Sequence, residues 1–264
     1  MPELPDVEVF RKYMDSSALH QKIKKVHVLD DSVLRKITPR SFQKSLKNRS
    51  FVETSRHGKY MFVKTDDEQW IMLHFGMTGF LKYYKLDNEK SDHIRILFDF
   101  SNDYHLAYDC QRKLGQVDLI KNQPKFIKEK KLGIDALSPE MGQDQFKQLL
   151  KDRRGSVKPA LMNQQLICGI GNIYSDEILF HANLHPASKN KKLSDSEIRD
   201  IYNSMKDVLK TGIESQVQPS QMPENFLIRH RSEGEECPVC GGEIHNSTIS
   251  GRSSYFCGKH QQKK

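Results

Sequence analysis

The chain has 264 residues and a formal net charge of +8 at neutral pH, with a pI near 9.1 and a mean hydropathy of −0.69. No run of about 18 apolar residues occurs, so the sequence predicts no membrane span. The positive charge predicts an anionic partner, with nucleic acid as the leading candidate. The five cysteines are an odd number, and three lie near one end, which favours a metal site over a disulfide framework.

The predicted elements change in kind along the chain. Pro5 suits the first turn of a helix and Asp6 and Glu8 suit its positive end, so we predict a helix over 5–18. Between Lys22 and about Leu119, short aromatic and β-branched runs predict strands and a β-sandwich. These runs are 59–63, 69–75, 80–86, 93–100 and 104–108. From about Gln145 the periodicity predicts helices through Leu150 and over 158–163, 173–182 and 194–216.

The order of these elements predicts an α+β fold with two main domains. Residues 1–130 should form an N-terminal β-sandwich domain with flanking helices. The stretch 121–145 is rich in lysine and carries Pro124, Gly133 and Pro139, so it is interpreted as the interdomain connection, with residues 131–145 as the linker. A helical module over 146–225 and a cysteine-bearing hairpin over 226–264 complete the prediction.

The first residues, Met1-Pro2-Glu3, carry a possible nucleophile. Removal of Met1 would expose the Pro2 nitrogen as an amine with a pKa of about 7.7–8.0, well below the ~10.4 of lysine. A secondary amine that attacks an aldehyde-type carbon gives an iminium, which is an electron sink for elimination. Glu3 could move protons or stabilise that cation. Proline at position 2 is common, so these residues alone do not establish catalysis.

The decapeptide 1–10 closely resembles the N-terminus of the formamidopyrimidine-DNA glycosylase / endonuclease VIII family. Residues 58–60, 74–79, 169–186 and 237–257 resemble further family motifs in the matching order. The resemblance implies a helix–two-turns–helix module, binding of damaged duplex DNA between two domains, and flipping of the damaged nucleotide. Pro2 would attack C1′, and β-elimination followed by δ-elimination would cut the strand. Asp6 stands where the family usually has Glu.

The resemblance also implies the residues that contact DNA. They are Lys59, His57, Met77, Arg112, Lys113, Lys158, Asn172 and Arg252. Lys59 would touch a phosphate and assist catalysis beside Pro2 and Glu3, and Met77 would fill a gap in the base stack. Lys113 and the following Leu114 replace a family Arg and Phe, which predicts weaker discrimination of the opposite base.

A glycine pair opens the predicted helix that begins near Asn172. Gly169 and Gly171 are separated by one residue, and their backbone N–H groups predict a concavity suited to a phosphate. No strand is predicted before this pair and no third glycine follows at the needed spacing, so the pattern does not fit a dinucleotide-binding loop.

Cys237 and Cys240 are separated by two residues, and sixteen residues later Cys257 and His260 repeat that spacing. Two such knuckles predict one structural, tetrahedral zinc site with no open position for water. The intervening alternation over 243–247 and 253–256 predicts a hairpin. The family's fourth ligand is a Cys, in whose place His260 stands.

The lesion predicted from residues 215–225 is not 8-oxoguanine, because this segment lacks the long Gly/Thr-rich loop typical of relatives that excise it. Oxidised pyrimidines, ring-opened purines, hydantoins or abasic sites are favoured instead. We expect a cytoplasmic, nucleoid-associated monomer with no secretion signal. Two alternatives stay open: a non-catalytic relative that binds lesions, and a zinc-ribbon module of an RNA or transcription assembly.

Overall fold

The computed structural model describes residues 1–85, 91–151 and 153–264. The chain forms two compact units. The first contains Met1–Pro2 and Asp6–Lys130, and the second contains Glu3–Pro5 and Lys131–Lys264. Helices and strands occur in both, so the predicted α+β class is confirmed. No helix in the part of the chain that the structure describes is long and apolar enough to span a bilayer.

The first unit contains two four-stranded antiparallel sheets, as the sandwich prediction required. Their strands are β1 (Ile23–Val28), β2 (Phe51–His57), β3 (Tyr60–Thr65), β4 (Trp70–His74), β5 (Gly79–Tyr84), β6 (Ile94–Phe100), β7 (His105–Cys110) and β8 (Gln116–Ile120). One sheet has the order β1-β6-β7-β5 and the other β2-β3-β4-β8. The predicted run 80–86 ends at Leu86, which lies outside the described residues.

The core of the first unit contains alternate side chains from both sheets. Ile23, Phe98 and Tyr108 come from one sheet and Met61 and Leu73 from the other, and all five are buried in one cluster. Period-two alternation places every second residue of a strand on the same face. Burial of these apolar side chains therefore holds the two sheets together.

Three helices contribute to the first unit: α1 (Leu4–Ser17), α2 (Pro39–Leu46) and α3 (Gln123–Glu129). The helix predicted over 5–18 corresponds to α1. Helices α2 and α3 were not predicted, because both are short. α2 lies within the stretch predicted to form strands, and α3 follows that stretch. Each has a local start signal, since the side chains of Thr38 and Asn122 cap the first turns.

The second unit contains four helices and two short pairs of strands. They are β9 (Ile134–Asp135), α4 (Gln143–Lys151), α5 (Val157–Leu161), β10 (Ile167–Cys168), α6 (Asn172–His181), α7 (Asp195–Glu214), β11 (Ile244–Ile249) and β12 (Arg252–Cys257). β9 and β10 pair in parallel, and β11 and β12 form an antiparallel hairpin. The predicted helices and the predicted hairpin are therefore present.

The segment interpreted as a linker, 131–145, differs from that expectation. It belongs to the second unit, where it contains β9 and the start of α4. Ala136 and Met141 are buried in the core of that unit. Gly133 and Pro139, which suggested a linker, therefore lie in a segment that contributes to a core, which composition alone cannot indicate.

Candidate active site and metal centre

The Glu3 carboxylate caps the N-terminus of helix α6. It accepts hydrogen bonds from the backbone N–H groups of Gly171 at 2.6 Å, Ile173 at 2.9 Å and Tyr174 at 3.3 Å. The first N–H groups of a helix have no partner within the helix and lie at the positive end of its dipole. Since Glu3 is only 2% exposed, these bonds supply the interactions that stabilise its buried negative charge.

Glycine is required where this carboxylate approaches the backbone. A Cβ on Gly171 would lie 2.4 Å from Glu3 Cδ, and one on Gly169 would lie 2.6 Å from Leu4 Cδ1. The Leu4 N–H also donates to the Gly169 carbonyl at 3.0 Å. The backbone N–H groups after the glycine pair therefore do bind an anion, as predicted. In this structure the anion is the carboxylate of Glu3 in the same chain.

Pro2 is half-buried and immediately precedes this anchor, whereas Met1 is 50% exposed. The nitrogen that loss of Met1 would free is thus one peptide bond from a residue held by three hydrogen bonds. This arrangement restricts where that amine can move, and restriction is what a reacting group needs for an oriented attack.

The predicted Lys59 lies at the tip of the hairpin between β2 and β3. Gly58 takes a φ of +58° there, and His57 pairs with Tyr60 across the turn. Lys59 is 6% exposed. Burial lowers the pKa of the nearby His74 to about 4, and the positive charges of Lys59 and Lys130 add to this effect. His74 is therefore neutral at neutral pH, and its Nδ1 accepts the Gly76 N–H at 3.3 Å.

Two loops of the first unit bring together the side chains predicted to enter the base stack. Met77 is 41% exposed and Leu114 is 48% exposed. Their loops are joined where the Arg112 N–H donates to Thr78 Oγ1 at 3.1 Å. A Cβ on Gly76 would lie 2.5 Å from the Leu114 carbonyl carbon, so the two backbones are in close contact. The structure thus brings Met77, Leu114 and the exposed Arg112 onto one edge of this unit.

The predicted Lys113 forms an ion pair within the first unit. Its Nζ forms an ion pair with Asp30 at 2.8 Å. The Lys113 ammonium beside Asp30 holds the pKa of that carboxyl well below its usual range. Lys113 also takes a left-handed φ of +54°. The ion pair leaves Lys113 exposed, with 54% of its side chain accessible, and the adjacent Leu114 is 48% exposed.

Lys158 is buried, contrary to the prediction that it contacts a phosphate. Its ammonium donates to Asp176 Oδ1 at 2.6 Å, to the Ser253 carbonyl at 3.0 Å and to Ser254 Oγ at 2.7 Å. All three of its donors are used within the second unit. Burial lowers the pKa of Lys158, and the Asp176 carboxylate opposes that shift. The sequence could not indicate this because its partners lie up to 96 residues away.

Asp176 joins three parts of the second unit. Besides Lys158 of α5, it accepts a hydrogen bond from Arg231 Nη2 at 2.7 Å and from the Tyr255 N–H of β12 at 3.2 Å. The Arg231 guanidinium also lies 4.5 Å above the Tyr255 ring. Arg231 was not predicted as a functional residue, and Asp176 was recognised only as part of the motif 169–186. A buried ion pair of this kind fixes one arrangement of the elements it joins.

The hairpin that this network holds presents Arg252. Arg252 is exposed as the first residue of β12, directly after a turn in which Ser250 and Gly251 have φ values of 49° and 75°. The next two residues, Ser253 and Ser254, are those that Lys158 binds. Asn172, also predicted to bind phosphate, is the first residue of α6, and its Oδ1 is buried without a hydrogen-bond partner.

The predicted metal ligands converge. One ligand atom from each of Cys237, Cys240, Cys257 and His260 lies within 4.8 Å of all the others. His260 Nδ1 is 3.4 Å from the Cys237 sulfur and 3.6 Å from the Cys240 sulfur, and the Cys240 and Cys257 sulfurs are 3.5 Å apart. Ligands about 2.0–2.3 Å from a tetrahedral ion have similar spacings. The donor set therefore fits a metal of the zinc type.

His260 is prepared for ligation through Nδ1. Its other nitrogen, Nε2, lies 3.4 Å from the Phe180 carbonyl, a contact that favours the tautomer with Nδ1 unprotonated. Burial lowers the pKa of His260, which keeps the imidazole neutral as a ligand must be. The cysteine-to-histidine change at this position is therefore compatible with a complete four-residue site.

Comparisons with known proteins agree with this architecture. Residues 1–117 match the model of the formamidopyrimidine-DNA glycosylase N-terminal domain, and residues 132–223 match the model of its H2TH domain. The formamidopyrimidine-DNA glycosylase of Pelotomaculum thermopropionicum is 31% identical over 278 residues, which cover 100% of both chains.

Solved structures agree as well. A complex between Lactococcus lactis Fpg and DNA containing an abasic site has a TM-score of 0.89 and 28% identity, covering 99% of this chain and 100% of that one. A complex of the same wild-type protein with DNA containing an oxidised pyrimidine gives the same values. The chain belongs to the formamidopyrimidine-DNA glycosylase family. It is a DNA glycosylase of base-excision repair.

We expect Glu3→Gln to lower the free energy of unfolding by roughly 1–3 kcal/mol, because a neutral amide gives weaker hydrogen bonds to the three N–H groups and puts a donor among them. Urea unfolding followed by circular dichroism measures the effect. Glu140→Gln in the same unit is the control: Glu140 is exposed, so its substitution should change stability by less than about 0.5 kcal/mol. Equal stability of the two variants would contradict the capping role.

Proposed function

We propose that the Pro2 nitrogen, freed by removal of Met1, is the nucleophile of a combined glycosylase and abasic-site lyase. The observation that carries the proposal is the anchor of Glu3 and Leu4 on the segment 169–174. That anchor immediately follows Pro2 and restricts its nitrogen. The resemblance of residues 1–10 to the family's N-terminus supplies the chemistry.

In the proposed reaction the Pro2 nitrogen forms a bond to C1′ as the C1′–base bond breaks, and the base leaves with a proton. The amine loses its own proton. The C1′–O4′ bond then opens, O4′ takes up a proton, and an iminium joins Pro2 to the sugar. Loss of a C2′ proton drives β-elimination, which breaks the C3′–O3′ bond. A second elimination breaks the C5′–O5′ bond, and water releases the sugar remnant from Pro2.

Glu3 acts in this proposal through its position and charge. Three N–H donors stabilise its anionic form, so proton transfer to it is disfavoured. A fixed negative charge one residue from Pro2 instead favours the iminium over the neutral amine. The role of proton carrier suggested for Glu3 on sequence grounds becomes secondary.

The proposed DNA contacts fall on both units. Lys59 and His57 at one hairpin tip, the adjoining loops of Met77 and Arg112, and Arg252 on the zinc hairpin are retained as DNA-binding residues. Asn172 is retained because it is the first residue of α6 and its carboxamide nitrogen can donate to a phosphate. Lys158 and Lys113 are assigned supporting roles, since each is paired with a carboxylate.

We propose that the ion held by Cys237, Cys240, Cys257 and His260 is Zn²⁺. When bound it supplies a structural crosslink for the hairpin β11–β12, with all four positions taken by protein. The ligand residues Cys237 and Cys257 are also buried in the small cluster that contains Phe180, Leu227 and Ile244. Metal and apolar packing would therefore stabilise the same hairpin.

The proposed substrates are oxidised pyrimidines, ring-opened purines, hydantoins and abasic sites. Residues 215–225 contain only the short 3-10 turn Pro219–Gln221, and no extended loop. The Lactococcus lactis relative has been solved with abasic-site DNA and with oxidised-pyrimidine DNA.

The domain boundaries are proposed from the two compact units, which divide the chain after Lys130. Residues 1–130 form the first domain and 131–264 the second, which includes the zinc hairpin over 226–264.

Sodium borohydride trapping on a duplex with one abasic site tests the nucleophile. The mature protein should give a covalent adduct whose mass maps to residue 2, and Pro2→Gly should reduce the rate of adduct formation by about tenfold or more. Insertion of a glutamate between Met1 and Pro2 makes the proline nitrogen an amide and should abolish the adduct. An unchanged adduct in the insertion variant would exclude Pro2, and no adduct with any variant would indicate a lesion-binding relative.

Removal of the metal should weaken DNA binding because Arg252 would lose its fixed position. We expect one zinc per chain by mass spectrometry, retained in His260→Cys and lost in His260→Ala. Binding of an abasic-analogue duplex should fall by at least about tenfold in His260→Ala, a loss of about 1.4 kcal/mol. Full binding by a zinc-free protein would refute the proposed crosslink.

Excision assays on matched duplexes distinguish the lesions. We expect 5-hydroxycytosine and ring-opened guanine to be removed at least about tenfold faster than 8-oxoguanine opposite cytosine, a difference of about 1.4 kcal/mol in activation free energy. An abasic site in the same sequence controls for strand cleavage. Efficient removal of 8-oxoguanine opposite cytosine would overturn the assignment.

A further inference from the structure

A basic cavity of about 650 Å³ lies in the first unit, where helix α2 crosses strand β1. None of the residues proposed for catalysis or DNA binding lines it. Its rim carries five cations. Lys24 and Lys25 belong to β1, Arg40 and Lys44 belong to α2, and Lys47 directly follows α2. The volume lies within the roughly 300–1,000 Å³ typical of ligand pockets.

The five rim cations have no carboxylate partner among the residues that the structure describes. Many other surface cations of this chain do have one: Lys64 pairs with Glu68, and Lys147 with Asp195. The two carboxylates at the cavity do not neutralise the rim. Asp99 binds two imidazoles, those of His27 and His105, at 2.7 Å each, and Asp103 is exposed on a turn.

Helix α2 separates its charges from its apolar side chains. Arg40 and Lys44 are four residues apart, which places them on one side of α2, and Lys47 is the residue that ends the helix. Phe42 and Leu46 are fully buried in the core of the first unit. The cations are therefore held on a helix whose position is fixed by packing, above a floor that includes the buried residues Val26 and Phe100.

A charged rim over an apolar floor restricts the class of ligand. Duplex DNA presents phosphates on a convex surface and has no apolar group to place in such a cavity. Strand addition is also disfavoured, because the Gln43 side chain already donates to the Val26 carbonyl on β1 at 3.1 Å. An acidic peptide with an apolar side chain would match both features, with carboxylates on the rim and the apolar group on the floor.

We propose that this cavity docks a short acidic peptide segment of a partner protein, through one or two apolar side chains flanked by aspartates or glutamates. The site goes beyond the proposed reaction and does not depend on it. It would tether the glycosylase to another protein without occupying the residues assigned to DNA.

Fluorescence polarisation with a labelled ten-residue peptide of Asp and Glu around a central Leu-Phe pair tests the site. The double variant Arg40→Glu/Lys44→Glu should bind it at least tenfold more weakly than the wild type. The matched control, Lys121→Glu/Lys128→Glu, reverses two exposed lysines of the same unit outside the cavity and should bind within twofold of the wild type. Equal losses in both variants would mean attraction by net charge only and would overturn the proposal.

Two further measurements separate the alternatives. A peptide with Ser in place of Leu-Phe should bind at least fivefold more weakly, and equal binding would remove the role of the floor. The salt dependence of duplex binding and the borohydride adduct should be unchanged in Arg40→Glu/Lys44→Glu. A salt slope reduced by about two would show that these cations contact DNA phosphates, and the peptide site would be abandoned.

Discussion

The Glu3 carboxylate and the N-terminus of helix α6 form the contact on which the rest of the candidate site depends. A buried anion needs several donors to be stable, and the start of a helix offers them without the need for another side chain. The three bonds reach Gly171, Ile173 and Tyr174, residues about 170 positions later in the sequence. Gly171 lacks a side chain for the same reason, since a Cβ would collide with that carboxylate.

A second buried charged group, the ion pair of Lys158 and Asp176, holds the hairpin β11–β12 in place. Lys158, Asp176 and Arg231 join α5, α6 and the segment before Cys237 to strand β12. Desolvation makes such a network weak evidence for stability, but the loss of one partner would leave a buried charge uncompensated, which disfavours arrangements that separate the groups. In this protein the arrangement includes the exposed Arg252, because Lys158 bonds to Ser253 and Ser254, the two residues that follow it.

The sequence predicted the features that depend on local periodicity or spacing. The helices α1, α6 and α7, most strands of the two sheets, and the convergence of Cys237, Cys240, Cys257 and His260 all follow from such patterns. The partners of Glu3, Lys113 and Lys158 could not be predicted, because no local spacing links them, and all but Asp176 lie in distant parts of the sequence. Helix α2 was missed because its eight residues are too few to establish a period.

The long separation between Glu3 and its partners also orders the maturation of the protein. During synthesis the first residues leave the ribosome well before residues 169–174 exist, and contacts of such separation close late. Under the proposed chemistry, the aminopeptidase therefore meets a loose N-terminus, with Met1 accessible and Pro2 not yet held. The hydrogen bonds between Glu3 and residues 171–174, which restrict the amine, form only when the second unit folds. In this proposal the Pro2 nitrogen is exposed first, and its position becomes restricted only later in synthesis.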